Sequence, residues 1–346
     1  MSKIKEALDD RHIFHLTDDT GMFQHAQFSV PNLDKGYTTD DNARALIMAV
    51  MLYERTKRPR YLTLVYRYLA FVLYAQNVDG RFKNFMTYNR QFTEIVGSED
   101  CFGRCLWALA YTFASSVLPE GIKGVCTVAI DCALDQVSSL TWLRGQAYAL
   151  IGLSLIDEEK SKNFIMKLAD SLADHFVQYS KETNWQWFEG NLTYDNAVLP
   201  WAMFAAYEKS GQERFLSIAQ QSLAFLDHTV FRNDFFCPVG CSGWWTRGSM
   251  EPAVYDQQPV EASMSTLAHL AAYKVTDDKK MLKLAKRSFA WYLGDNICKE
   301  SLIDVETGGC YDGITPHGVN RNEGAESIVG YWIARLALEK CTSNVF

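Results

Sequence analysis

The sequence has no long apolar run and no surplus of positive charge. No stretch of about 18 uncharged apolar residues occurs among the 346, so no membrane-spanning helix is predicted. Lys and Arg number 34 against 41 Asp and Glu, and the net charge of −7 argues against a nucleic-acid partner or an anionic membrane surface. The first ten residues contain no apolar run typical of a signal peptide. We therefore expect a cytoplasmic protein.

Motifs for binding phosphates, dinucleotides or zinc are also missing. There is no P-loop, no GxGxxG after a strand and no HExxH. The nine cysteines are scattered. Two pairs, Cys101/Cys105 and Cys237/Cys241, have four-residue spacing, but neither is a CxxC with histidines nearby. We interpret the cysteines as reduced, small apolar residues, and we expect neither a metal nor a cofactor.

What the sequence does contain is a repeated way of starting a helix. In residues 36–46, a loop becomes an apolar helix at Asp40-Asp41, where Thr39 or Asp40 can cap the first turn. The pattern recurs five more times, at Glu99-Asp100, Arg144-Gly145, Tyr194-Asp195-Asn196, residues 256–259 and residues 323–326. The starts lie about 45–65 residues apart, a period typical of repeat architectures.

The loops between the helices are unequal in length. Loops that lead out of these helices are short, whereas those that lead into them are mostly long, and long ordered loops are usually functional. With an N-terminal helix over residues 4–16, the sequence predicts twelve helices in six antiparallel pairs. We predict one domain over residues 1–346, an all-α (α/α)6 toroid with the long loops, and any short hairpins, at one mouth. Gly103 and Gly145 inside inner helices predict close packing at the ring axis.

Two carboxylates that face a sugar-sized gap are the minimum requirement for cleaving a glycosidic bond. The first and fourth inner helices would lie opposite each other, so Asp41 and Asp195 are the predicted catalytic pair. Asp100, Asp256 and Glu323 are reserves. An acid at a helix start is commonly a cap or a dipole partner, and this alternative stays open for each. The wider set of candidate acids also contains Asp40, Glu99, Glu189, Glu261, Asp312 and Glu326.

The loops supply candidate sugar-binding residues. Trp187, Trp244 and Trp245 could stack on a pyranose ring or could be buried under their own loops. Arg247 could hold a hydroxyl or pair with an acid, and Gln257 could bind hydroxyls or cap loop backbone. The same set is completed by Tyr37, His317 and Glu323. His317 could act as an acid or base, or could be a plain surface histidine.

Several motifs together resemble one family. They are GYTTDDNARAL at 36–46, EDCFGRCLWAL at 99–109, LTYDNA at 192–197, FCPVG at 236–240, DQQPVEA at 256–262 and GCYDG at 309–313. They resemble a bacterial helical family often fused behind a glycosyltransferase domain and similar in its toroid to six-hairpin glycosidases. The resemblance covers nearly the whole chain. It implies the (α/α)6 fold, carbohydrate handling and a possible glycosyltransferase partner, but no particular reaction.

Three functional hypotheses follow. The first is a metal-independent, glycoside hydrolase-like enzyme that acts on an oligosaccharide or glycoconjugate, with inversion favoured by analogy of fold. The second is a non-catalytic sugar-binding module that serves a separate glycosyltransferase. The third is a scaffold that uses the mouth for a protein partner. A phosphorylase would need a basic phosphate pocket, for which Arg104, Arg144, Arg247 and Arg321 are the candidates.

Overall fold

The computed structural model describes residues 8–156, 159–181, 184–232 and 235–343. Within these ranges the chain is built almost entirely of α-helices. In chain order they are α1 (Arg11–His15), α2 (Thr39–Thr56), α3 (Pro59–Ala75), α4 (Glu99–Ala114), α5 (Glu120–Val137), α6 (Leu143–Leu153), α7 (Glu159–Tyr179), α8 (Val198–Ser210), α9 (Glu213–Val230), α10 (Pro259–Thr276), α11 (Lys279–Ala290) and α12 (Ala325–Ser343). None of these helices is long and apolar enough to cross a membrane.

The even-numbered helices form a closed inner ring. Each of α2, α4, α6, α8 and α10 packs against the next, and α12 packs back against α2. Outside this ring, α3, α5, α7, α9 and α11 each lie against the inner helix that precedes them in the chain. The arrangement confirms the predicted (α/α)6 toroid.

The N-terminal helix is shorter in the structure than predicted. The prediction covered residues 4–16, whereas α1 spans Arg11–His15, and residues 1–7 lie outside the described ranges. The Nε2 atom of His12 donates to the carbonyl oxygen of Glu323 at 2.8 Å, just ahead of α12. On the other side, the Asp10 carboxylate pairs with Arg60 of α3 at 2.6 Å. These contacts place α1 in the sixth outer position.

Burial explains which helices lie inside. In α2, every residue from Asn42 to Leu52 is buried, because other helices surround it on all sides. In the outer helix α11, Leu284, Ala285, Ser288 and Phe289 are buried on one face only. The inner helices also approach closely, since a Cβ atom on Gly103 would lie 2.5 Å from the carbonyl oxygen of Gly145. The predicted close packing of these two glycines is therefore confirmed.

Within the described ranges, ten short strands, paired antiparallel, tie the loops together. They are β1 (Ala26–Gln27), β2 (Val30–Pro31), β3 (Tyr37–Thr38), β4 (Phe85–Met86), β5 (Asn191–Leu192), β6 (Phe231–Arg232), β7 (Phe235–Phe236), β8 (Trp245–Thr246), β9 (Gly313–Thr315) and β10 (Gly318–Asn320). The pairs β1–β2, β6–β7 and β9–β10 are local hairpins. In contrast, β3–β4 and β5–β8 join loops that lead into different inner helices. These long-range pairs hold the mouth loops in place.

Candidate functional site

Each of the six inner repeats contributes a polar side chain to one connected group at the mouth. We call this group the mouth network. It consists of Asp40, Asp41 and Arg44 on α2, Arg104 on α4, Tyr148 on α6, Asp195 just before α8, Glu261 on α10 and Glu326 on α12.

Arg44 is the cation that joins the first and last inner helices. Its Nη2 atom donates to Asp40 Oδ1 at 3.1 Å and to Asp41 Oδ1 at 2.7 Å. Its Nη1 atom donates to Glu326 Oε2 at 3.1 Å. Only 3% of the Arg44 side chain is exposed, so its charge is offset inside the protein by three carboxylates rather than by water.

Arg104 extends the network to the other side of the mouth. Its Nη1 atom donates to Asp40 Oδ2 at 2.5 Å and its Nη2 atom donates to Asp195 Oδ2 at 3.0 Å. The guanidinium also lies 5.1 Å from the centre of the Tyr148 ring. Asp40 therefore has one guanidinium on each carboxylate oxygen, since Arg44 holds the first and Arg104 the second.

Neither Asp40 nor Asp41 caps α2. The N-cap is Thr38, whose Oγ1 atom accepts from the Asp41 N–H at 3.3 Å, so the expected cap at Thr39 or Asp40 is wrong. The reason is that the chain becomes helical one residue earlier than the sequence pattern suggests. Ser98 caps α4 in the same way, by accepting from the Cys101 N–H at 3.1 Å. The acids that open these two helices are thus free for other roles.

The two neighbouring aspartates have opposite pKa shifts. Burial raises the pKa of Asp41 to about 7, and the negative charge of Asp40 adds to this effect. Burial acts on Asp40 too, but the charges of Arg104 and Arg44 outweigh it and hold the Asp40 pKa below its usual value. The Thr38 hydroxyl donates to Asp41 Oδ2 at 2.5 Å. Near neutral pH, Asp40 is ionised while Asp41 can still carry a proton.

Asp195 lies deeper than the α2 aspartates. It has no exposed surface, and its Oδ2 atom accepts hydrogen bonds from Arg104 and the Tyr148 hydroxyl. Its backbone N–H donates to the Glu261 carboxyl group. Its φ angle is +52°, a conformation that costs energy for a non-glycine residue and is concentrated at functional sites.

The pKa values of this deeper pair of acids are both raised. Burial raises the pKa of Asp195, and burial together with the Asp195 charge raises the pKa of Glu261 to about 8. Near neutral pH, Glu261 therefore holds a proton, while the neighbouring Asp195 accepts hydrogen bonds from Arg104 and Tyr148.

A cavity of about 370 Å³ opens beside the network, between the starts of α2 and α12. Its charged lining consists of Asp40, Asp41, Arg44, Asp312 and Glu326, and the remaining groups are mostly amides, hydroxyls and the imidazole of His25. Small-molecule sites commonly have about 300–1,000 Å³. The volume and the many hydrogen-bonding groups suit one or two sugar rings.

The reserve acids lie at three different places. Asp100 accepts a hydrogen bond from the Tyr194 hydroxyl at the mouth. Asp256 has a φ angle of +52° in the turn before α10, and its carbonyl oxygen accepts from the Cys241 N–H at 3.0 Å. Glu323 lies away from the cavity, where its Oε2 atom contacts His12 Nδ1 at 3.3 Å and accepts from the Thr307 hydroxyl at 2.9 Å. Its contacts tie α1 to the last loop.

The aromatic candidates divide by burial. Tyr37 and Trp187 have no exposed surface, so neither ring offers a face to a ligand in this structure. Trp245 is stacked on Phe225 with 5.9 Å between ring centres. Trp244 remains 42% exposed. Of the aromatic residues predicted to bind sugar, only Trp244 presents a substantial surface to solvent.

The polar candidates mostly contact loop backbone. Arg247 Nη1 donates to the Tyr179 carbonyl oxygen at 3.3 Å. Gln257 is buried, and its Nε2 atom donates to the Val254 carbonyl oxygen at 2.9 Å, in keeping with the capping alternative. His317 is exposed in the turn between β9 and β10. Through these hydrogen bonds, Arg247 and Gln257 hold loops in position.

The sequence pattern does not mark Arg44 or Tyr148 of the mouth network. Both lie inside inner helices, about one turn after the helix start, whereas the pattern marks the acids at the starts themselves. A signal was present for Arg44, because an arginine within a stretch of apolar helix must be paired when it is buried. No such signal exists for Tyr148, which is compatible with an ordinary core position.

Similarity to known proteins is found in the fold and not in the sequence. No family model matches the chain, and no curated protein sequence matches it. Among solved structures, a sugar epimerase from a ruminal bacterium has a TM-score of 0.76 at 14% identity, covering 100% of this chain and 99% of that one. The cellobiose 2-epimerase of Spirochaeta thermophila has a TM-score of 0.74 at 14% identity, covering 100% and 97%.

A third similar structure is an α-1,6-mannanase of Salegentibacter sp., an inactive variant with two aspartates replaced, in complex with α-1,6-mannotetrose. Its TM-score is 0.64 at 11% identity, covering 96% of this chain and 97% of that one. The expected resemblance to a domain fused to glycosyltransferases does not appear among these similarities and stays a prediction. The chain has the six-hairpin (α/α)6 toroid fold that sugar epimerases and glycoside hydrolases share.

Proposed function

We propose that the chain is a carbohydrate-active enzyme that cleaves a glycosidic bond with the adjacent carboxyl groups of Asp40 and Asp41. The observation that carries the proposal is the opposed pKa shift of these two residues in one polar cavity. Neighbouring acids whose surroundings separate their pKa values are typical of an acid and its ionised partner. The cavity supplies the hydrogen-bonding groups that sugar hydroxyls require.

The two residues take different roles in this proposal. Asp41, with a pKa of about 7, donates its proton to the glycosidic oxygen as the bond breaks. Asp40 stays ionised and stabilises the positive charge that develops at the anomeric carbon, or attacks that carbon. Water then completes the hydrolysis.

The spacing of the pair bears on the stereochemistry. Both Oδ1 atoms contact the same Arg44 nitrogen, so they lie within about 6 Å of each other. Inverting pairs need about 6.5–9.5 Å and retaining pairs about 5–5.5 Å. The Asp40–Asp41 pair therefore favours retention, whereas the inversion expected from the sequence came from analogy of fold.

Asp195 acts in this proposal through Arg104 rather than on the sugar. Its carboxylate holds one end of the guanidinium whose other end holds Asp40. A fixed guanidinium keeps Asp40 ionised and oriented, since a charge-assisted hydrogen bond stabilises the charged form. Asp195 is therefore a positioning residue for Asp40, the ionised member of the pair.

The mannanase provides a parallel for a pair of consecutive aspartates. Its inactive variant replaces two aspartates that are consecutive in the chain, and Asp40 and Asp41 are consecutive as well. The ligand in that structure is an oligosaccharide. The bound oligosaccharide is the ligand of the mannanase, and it makes manno-oligosaccharides the first substrates to test on this chain.

The test is turnover of a panel of cello- and α-1,6-manno-oligosaccharides and aryl glycosides, measured as release of reducing ends. We expect the parent chain to cleave at least one member, and Asp41→Asn and Asp40→Asn each to lower kcat by about 10²–10⁴-fold. The control is Asp278→Asn, because Asp278 caps α11 at the other end of the toroid and Asn caps equally well. Cleavage that survives both site variants would contradict the assignment.

A second candidate is epimerisation or isomerisation of a reducing sugar. His25 lines the same cavity as Asp41, and a histidine beside a carboxyl group could move a proton at the carbon next to a carbonyl. Incubation of reducing disaccharides in D2O separates the two reactions. Epimerisation incorporates deuterium at C2 and leaves the glycosidic bond intact, whereas hydrolysis doubles the number of reducing ends. Sugar binding without either product would favour the module that serves a separate glycosyltransferase.

A further inference from the structure

An exposed tryptophan lies at the mouth on a fixed stretch of backbone. Trp142, the residue before α6, is 71% exposed, although tryptophan is highly buried on average. Its backbone is fixed by Glu99, whose Oε2 atom accepts from the N–H groups of Thr141 and Trp142 at 2.7 Å each. The Thr141 hydroxyl donates to Glu99 Oε1 at 2.9 Å. The ring is thus attached to a segment that three hydrogen bonds hold in place.

A second aromatic ring is anchored to the same part of the chain. Tyr194 is 37% exposed, and its hydroxyl donates to Asp100, the neighbour of Glu99 in the first turn of α4. Arg144 lies 4.8 Å from the centre of the Tyr194 ring, and its Nε atom donates to the Tyr194 carbonyl oxygen at 2.6 Å. Since Arg144 follows Trp142 by two residues, both rings belong to one fixed unit. We call Trp142 and Tyr194 the aromatic shelf.

The shelf is continuous with the mouth network. Tyr194 directly precedes Asp195, whose Oδ2 atom accepts from Arg104 Nη2 at 3.0 Å. Arg104 in turn donates to Asp40 at 2.5 Å. The side chains of Asp195 and Arg104 therefore connect the shelf, beside α4 and α8, to the cavity beside α2.

We propose that the aromatic shelf binds a further sugar unit of an oligosaccharide whose reacting bond lies in the cavity. This inference rests on the proposed function and names its substrate class, a saccharide longer than the cavity holds. An exposed aromatic face suits the apolar C–H face of a pyranose, and a fixed backbone lowers the conformational entropy that is lost on binding. Two side chains present far too little area for a protein interface, which needs about 1,000 Å² or more.

The test is isothermal titration with cello- and α-1,6-manno-oligosaccharides of two to six units, in an Asp41→Asn background that prevents turnover. We expect affinity to rise with length, and Trp142→Ala to lower the affinity of the longest ligands about tenfold with little effect on disaccharides. Trp142→Phe keeps an aromatic face and should restore most of the affinity. Tyr66→Ala is the control, because Tyr66 is 52% exposed on the outer helix α3.

The outcomes separate the shelf from the reaction. If Trp142→Ala leaves the affinity of long ligands unchanged, or weakens short and long ligands equally, the shelf is wrong while turnover by the parent chain still supports the proposed function. If the Asp41→Asn protein binds no saccharide of any length and the parent chain cleaves none, both proposals are overturned. Recovery by Trp142→Phe but not by other substitutions would exclude a folding defect as the cause of lost affinity.

Discussion

Asp40 and Asp41 share a backbone but differ in what surrounds their carboxyl groups. The Asp40 side chain is 18% exposed and touches two guanidiniums, whereas the Asp41 side chain is 6% exposed and shares one guanidinium with Asp40. Because each unit of pKa corresponds to about 1.4 kcal/mol, the different surroundings are enough to separate the two protonation states. At the residue scale, the chemistry proposed for the site depends on this difference in protonation between Asp40 and Asp41.

The first prediction concerns the pH dependence of activity. If Asp41 donates the proton, kcat/KM should fall about tenfold per pH unit above the pKa of about 7. Because the Asp40 pKa is held below its usual value, no loss is expected on the acid side until the pH falls below the ordinary aspartate range near about 4. The measurement is a kcat/KM profile from pH 4 to 9 on whichever glycoside is cleaved. Activity that increases above pH 7 would contradict an acid role for Asp41.

The second prediction concerns stability. A carboxyl whose pKa is raised on folding stabilises the protein fully below its unfolded value near 3.8, and that stabilisation is lost as pH rises to about 7. Asp41→Asn mimics the protonated form, so at pH 8 it should raise the unfolding free energy by at most about 4 kcal/mol, and Tm should rise with it. Near pH 3.5 it should leave Tm unchanged. Thermal melts at both pH values check this. An equal shift at both would show that the carboxyl charge is not responsible.

Sequence reasoning identified part of this site. Asp41 was recognisable because it opens an inner helix and precedes a run of apolar residues. The opposed pKa values were not, because they depend on Arg104, which is 64 residues away in the chain and is brought beside Asp40 only by folding. The deeper position of Asp195 behind Arg104 is also a result of packing, which a spacing of repeats does not specify.

At the scale of elements, contact between neighbouring inner helices sets the geometry of the network. A Cβ atom on Gly103 would lie 2.5 Å from the Gly145 carbonyl oxygen and 2.8 Å from Tyr148 Cβ. Gly103 therefore allows α4 and α6 to approach, and Tyr148 on α6 supports Asp195. The sequence predicted this approach because a glycine inside a helix otherwise costs stability without benefit.

The third prediction tests this contact. Gly103→Ala should lower the unfolding free energy by about 1–3 kcal/mol, since the added methyl group meets backbone that cannot move aside. Gly124→Ala on the outer helix α5 is the matched control, because nothing lies within 4 Å of the added atom. That change should stabilise the chain by about 0.5–1 kcal/mol. Urea unfolding of both variants measures the difference, and equal effects would contradict the close contact.

The helix boundaries show what pattern can and cannot predict. Inner and outer helices were identified from apolar spacing, and the structure confirms their order. α8 begins at Val198, after the predicted opening motif Tyr194-Asp195-Asn196, because Asp195 adopts a positive φ angle and Asn196 bonds back to the Thr193 carbonyl oxygen at 2.8 Å. A turn of this kind depends on partners such as Glu261 that lie elsewhere in the chain.

At the scale of the whole molecule, the ring closes where α12 meets α2. Arg44 spans that seam, since it contacts Asp40 and Asp41 on its own helix and Glu326 on the last one. The toroid itself was predictable, because six repeats with one-sided loops leave few alternatives. The pair of repeats that frames the cavity was not predictable, because it depends on how the loops fill the rest of the mouth.

The fourth prediction concerns this seam. Arg44→Ala would remove the cation that Asp41 and Glu326 share and one of the two cations that hold Asp40, and we expect a loss of about 3–5 kcal/mol at pH 7. The loss should shrink at pH 4.5, where protonation relieves the repulsion. Arg81→Ala is the control, because Arg81 pairs with Asp79 at the surface and exposed pairs contribute about 1 kcal/mol or less. Equal losses at the two pH values would show that Arg44 acts through packing alone.

The measurement that tests the central claim most directly is a crystal structure of Asp41→Asn with an oligosaccharide that the parent chain cleaves. The account predicts a glycosidic oxygen within about 3 Å of the side chain at position 41, and the anomeric carbon facing Asp40. The next sugar unit should lie against Trp142. A sugar whose glycosidic bond lies elsewhere in the mouth, away from Asp40, would contradict the account.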